Sequence, residues 1–149
     1  MRSAMKSMAM RGERGFTLIE VLIAVLVLSV GLLGLAALQA TALRNNQSSL
    51  QRSAGVVYTY SIIESMHANV DAARAGTYNM GRICTVPAGG TLIQNDQRQW
   101  MRMLQQNLGA DACGAIACAS DLCKVTVEWN DSRAKEGDAA QTFSTEVRL

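Results

Sequence analysis

The chain has 149 residues, 49% of them hydrophobic and 17% charged, with a formal net charge of +2. That length leaves one modest globular domain once an N-terminal apolar segment is set aside. The positive charge lies before Phe16, where Arg2, Lys6, Arg11 and Arg14 stand against Glu13 alone, so the basic pI is no sign of nucleic-acid binding.

Read from the start, a basic leader ends at Gly15, with Met5, Met8 and Met10 as alternative starts. The stretch Arg14-Gly15-Phe16-Thr17-Leu18-Ile19-Glu20 then opens an apolar run from Val21 to Leu38 whose one polar side chain is Ser29. The run is long enough to cross a bilayer as a helix. Basic residues before it keep the N-terminus cytoplasmic and send the rest outward, to an oxidising compartment. Glu20 is unusual there, because a charge facing lipid costs about 2.5–3.5 kcal/mol and requires a partner. A cut after Gly15 would supply one: the new amine of Phe16 lies one helical turn away, and opposite charges at that spacing neutralise each other within or between subunits. The rival is an ordinary secretory signal cleaved at Ala40-Thr41-Ala42, but the apolar run is longer than the usual 7–15 residues of such signals and carries Glu20.

Helix-compatible residues continue from Phe16 to about Arg74, and the first proline is Pro87. That predicts one helix of roughly 85–90 Å, with Gly31 and Gly34 as weak points that also permit close helix packing. Beyond Leu38 the composition turns polar, through Gln39, Arg44, Asn45, Asn46, Gln47, Ser48, Ser49, Gln51 and Arg52. Val56, Tyr60, Ile63, His67 and Val70 recur at spacings of four and three, the stripe of an amphipathic helix laid on a sheet. His67 is the single histidine, with no neighbouring nucleophile, which favours a packing or surface role over catalysis or metal ligation.

Residues 76–90 read as a connecting loop. A second helix is expected to begin at Asn95 or Asp96 with Gln99 completing a capping box, to present Trp100, Met103, Leu104 and Leu108, and to end at Gly109 in a left-handed conformation. Val125, Val127 and Trp129, and later Phe143, Thr145, Val147 and Leu149, alternate with polar residues as half-buried strands do. The polar segment Asn130 to Gln141 joins them. The fold class is therefore α+β, a long helix and a second helix on a small antiparallel sheet. Cys84, Cys113, Cys118 and Cys123 lack the short spacing of zinc ligands, and an oxidising compartment favours disulfides. Three connectivities are open; Cys118 and Cys123 flank a plausible hairpin loop, which leaves Cys84 for Cys113. No Gly-rich phosphate loop, paired-carboxylate site or nucleophile–base arrangement is present, so neither catalysis nor a cofactor is expected.

Gly15-Phe16-Thr17-Leu18-Ile19-Glu20 resembles the signal of bacterial type IV pilins and of type II secretion pseudopilins. The resemblance implies that a prepilin peptidase cuts between Gly15 and Phe16 and methylates the Phe16 amine, and that Glu20 guides the subunit into a growing fibre. Leu32-Leu33-Gly34-Leu35-Ala36, Leu43-Arg44-Asn45-Asn46-Gln47-Ser48, Gln51-Arg52-Ser53, Met66-His67-Ala68-Asn69 and Gly76-Thr77-Tyr78 resemble minor pilins of the PilV type. This implies a type IV pilin-like fold: leader 1–15, membrane and assembly half 16–38, periplasmic helix half 39–75, and disulfide-stapled head 76–149. The implied partners are the peptidase, the inner membrane, other minor pilins, the major pilin and a tip adhesin. A secretion pseudopilin and a membrane-anchored binding or adhesive domain are the alternatives.

Overall fold

The computed structural model describes residues 15–134 and 137–149. Its contacts divide the chain into two compact units, the first ending at Gln39 and the second running from Ala40 to Leu149.

Helix α1, Leu18–Ala68, runs through both. Ser29, Ser49 and Thr59 do not interrupt it, because each of these hydroxyls donates to a carbonyl one turn back: Ser29 to Val25 at 2.7 Å, Ser49 to Asn45 at 3.0 Å, Thr59 to Gly55 at 2.8 Å. The uninterrupted helix expected to Arg74 is in fact broken at Asn69, which leaves helical geometry at φ −133°, ψ 52° before the short helix α2, Val70–Arg74. Helix α2 closes with the Gly76 N–H on the Ala73 carbonyl and the Thr77 N–H on that of Ala72, both at 2.9 Å. This double closure needs a left-handed residue, and Gly76 supplies it at φ +75°.

Four strands follow the order β1 (Met80–Ile83), β2 (Cys113–Ala119), β3 (Leu122–Trp129) and β4 (Gln141–Arg148), all neighbours antiparallel. Residues 76–90 are thus not all loop; β1 is too short and too polar to show alternation. Helix α3 spans Leu92–Leu108, starting earlier than the sequence suggests. Its capping box is Thr91 with Gln94, each side chain bonded to the other's backbone N–H, and Asn95 and Gln99 lie within the helix. Gly109 follows at φ 127°, ψ 154°, extended in ψ, not the left-handed helical cap expected.

The core lies between the sheet and the helices of the second unit. Cys123, Val125, Val127 and Trp129 of β3 are buried against Ile62, Ile63 and Met66 of α1 and Trp100, Met101, Leu104 and Leu108 of α3. The buried residues of α1 are Ser48, Gly55, Thr59, Ile62, Ile63 and Met66; of the stripe read in the sequence Ile63 is buried, Val56 and Val70 are half-buried, and Tyr60 and His67 are exposed. Trp129 lies against α1 at Gly55, where an added Cβ would sit a tight 3.3 Å from its ring. Two disulfides staple the sheet, Cys84–Cys113 across the end of β1, and Cys118–Cys123 between facing residues of β2 and β3.

Tyr78, fully buried, donates to Asp96 Oδ2 at 2.7 Å. Burial first, and then the hydrogen bond and charge of Asp96, push its pKa from 10.0 up to about 12. A folded-state value above the unfolded one favours the protonated, native form. Stability is therefore constant below about pH 10 and falls between about pH 10 and pH 12, by about 2–3 kcal/mol. Alkaline unfolding titrations should show this loss in the wild type and lack it in Tyr78→Phe.

Candidate functional site

At the start of the chain the apolar segment becomes helical at Leu18 because Thr17 caps it. The Glu20 N–H lies 3.1 Å from the Thr17 carbonyl and 3.4 Å from its hydroxyl. Thr17 and Glu20 have the Thr-x-x-Glu spacing of a helix start, a signal the sequence reading passed over. A carboxylate in the first turn also faces the positive end of the helix dipole.

Gly15 and Phe16 precede the helix without regular structure, and Phe16 is 81% exposed. Among the described residues nothing stands within 4 Å of where a Gly15 side chain would lie. Phe16 and Glu20 border one open hollow on the first turns, completed by Val21, Ala24 and Val25. The residues proposed as the cleavage junction and as the assembly carboxylate are thus neighbours. What this arrangement offers is one carboxylate on an apolar surface, beside the amine that cleavage would create. From Leu18 to Leu38 the large side chains are exposed, and α1 is long and apolar enough to cross a membrane.

In the second unit a buried polar cluster joins distant parts of the chain. Asp131, in the polar segment that joins β3 to β4, is only 2% exposed. It accepts from the Ser48 hydroxyl at 2.6 Å and from Arg52, whose same nitrogen also donates to Gln141 at 3.2 Å. This clasp holds the segment between β3 and β4 to α1, and nothing in the spacing of these residues announced it. A cleft between α1 and α3, about 270 Å³, is lined by Ser61, Ile62, Ser65, Asp96, Gln99, Trp100 and Met103. Its carboxylate, Asp96, is already engaged by Tyr78. Among the described residues no group of three or more His, Cys, Asp or Glu side chains could hold a metal ion.

Residues 10–36 match the family model described as the prokaryotic N-terminal methylation motif. This chain carries a prepilin-type N-terminal signal. The match spans the Gly15–Phe16 junction, Glu20 and most of the apolar run, and it supports a type IV pilin-like or pseudopilin-like protein. It implies processing by prepilin peptidase and, with the apolar helix, anchoring in a membrane. The α+β architecture, a long N-terminal helix with a four-stranded antiparallel sheet, is consistent with a type IV pilin-like fold. No curated protein and no solved structure gives a significant match to the chain.

Proposed function

We propose that this protein is a minor pilin of the PilV type, a non-enzymatic subunit that helps to initiate a type IV pilus and stays near its tip. The observation that carries the reading is the pairing of Phe16 and Glu20 around one hollow, within the stretch that matches the methylation motif. Before assembly the subunit sits in the inner membrane, N-terminus cytoplasmic and residues 76–149 periplasmic. The peptidase removes residues 1–15 and methylates Phe16. Inside an apolar bundle Glu20 then neutralises a Phe16 amine, and the exposed side chains from Leu18 to Leu38 pack on neighbouring helices. Other minor pilins, the major pilin and a tip adhesin are the partners this role requires.

Cleavage is tested by Gly15→Val. A β-branched residue before the cut obstructs a peptidase that reads a small residue there, so the variant should keep its leader. An intact-mass measurement on membrane fractions separates the two forms, and a fully shortened Gly15→Val chain would contradict the reading. Co-purification with secretion components in place of pilus components would move the assignment to a pseudopilin, whose signal is of the same kind.

A further inference from the structure

The cleft between α1 and α3 holds a charge that no described residue balances. Asp96 is half-buried on its wall, and none of the ion pairs among the described residues includes it. Its hydrogen-bond partner is the Tyr78 hydroxyl, which reaches Oδ2 at 2.7 Å. A neutral donor satisfies one lone pair of a carboxylate and leaves its charge uncompensated, with the other oxygen still an acceptor.

The rest of the polar lining adds acceptors. Ser61 donates its hydroxyl proton to the Tyr58 carbonyl at 2.8 Å, and Ser65 donates its own to the Ser61 carbonyl at 3.2 Å. Both oxygens keep their lone pairs for the cleft. The Trp100 indole N–H is also held by the Tyr58 carbonyl, at 3.0 Å. Gln99, exposed at the rim, is the one lining side chain with donors to spare. Ile62, Trp100 and Met103 make the remainder apolar. A net negative charge among acceptors rejects anions and selects a cation. The volume of about 270 Å³ is below the ~300–1,000 Å³ usual for small-molecule pockets, and it suits a single side chain.

We infer that this cleft receives the side chain of a lysine from a partner protein, with the ammonium against Asp96 and the stem on the apolar lining. An ammonium carries three donors and no acceptor, which matches Asp96 and the two serine oxygens. A guanidinium fits less well, since its planar fork engages both oxygens of a carboxylate and Tyr78 already occupies Oδ2. The surroundings favour a protein over a free amine. Leu92, one turn before Asp96 on α3, and Val57, one turn before Ser61 on α1, are both exposed. Apolar contacts around a central charge keep water from it, as they do at protein interfaces. The one lysine among the described residues, Lys124, is held by Glu146 at 3.7 Å, so the partner is a different protein. None of this depends on the fibre role.

The test couples carboxylates to amines with a water-soluble carbodiimide, which joins Asp96 to a touching amine as an amide while the reagent takes up the water. On the purified full chain in detergent, n-butylamine should be coupled to Asp96. An unlabelled Asp96 beside a labelled, exposed Glu64 would overturn the proposal. In membranes of expressing cells, with no amine added, peptide mapping should find Asp96 joined to a lysine of another protein. An adduct with a second copy of this chain, an adduct with a small amine, or none would overturn it. Gln99→Lys places an ammonium three residues from Asp96, in reach on the same helix. It should lower the adduct at least about tenfold with unchanged protease resistance of the second unit, whereas Gln99→Ala should leave the yield at the wild-type level. Equal yields from the two variants, high or low, would contradict a site selected by charge.

Discussion

Glu20→Ala should be cleaved and membrane-bound at wild-type levels yet absent from fibres. Glu20 sits on an apolar helix beside Phe16, and the amine created by cleavage would enter a bundle of apolar helices. In a membrane alone, alanine is the better residue, since a carboxylate there costs about 2.5–3.5 kcal/mol. In a bundle the balance reverses, because breaking a buried ion pair leaves one charge uncompensated at about 3–5 kcal/mol. At about 1.4 kcal/mol per factor of ten, that is a loss of at least about a hundredfold in docking equilibrium. The measurement is surface fibre yield together with cleavage state, at matched protein level. Glu20→Gln should recover little, because it restores the shape and not the charge.

The second large effect concerns the disulfides, and it is unequal. Crosslinks stabilise chiefly by restricting the unfolded chain, more for longer loops. Cys84–Cys113 spans 29 residues of sequence and Cys118–Cys123 spans 5. The chain-entropy relation gives about 3.6 and about 2 kcal/mol respectively. Replacing Cys84 and Cys113 together by alanine should therefore lower the urea midpoint of the second unit clearly more than replacing Cys118 and Cys123. The longer crosslink also ties β1 to β2, so its loss should expose Met80–Ile83 to proteolysis. Equal midpoint shifts for the two double variants would contradict this ranking.

How much could be read beforehand depended on how local the cause was. The apolar run, the charge within it and the alternation in β3 and β4 are periodic signals, visible in the sequence and present in the structure. The stripe read on α1 holds in part, because the face is chosen by what lies opposite. Trp129, 74 positions later, packs closely on Gly55, a contact that no local periodicity reports. The start of α3 was missed because two caps compete within a few residues, and the Thr91–Gln94 pair wins. Strand β1 has no hydrophobic alternation and exists by pairing with β2. Asp131 is buried only because Ser48 and Arg52 meet it from a distant part of the chain. At the N-terminal site, Phe16 and Glu20 border one hollow although Phe16 precedes the helix, and the cap is Thr17, at the spacing of a helix start. Residues 1–14, most of the expected leader 1–15, lie outside the described residues.

The central claim is that this chain is a processed subunit of a fibre, and the most direct measurement is the N-terminus of the protein recovered from sheared surface fibres. Intact-mass and terminal-peptide analysis should find a chain that begins at Phe16 with a methylated amine. A chain beginning at Leu43, one that retains residues before Phe16, or a processed chain absent from the fibres would contradict it.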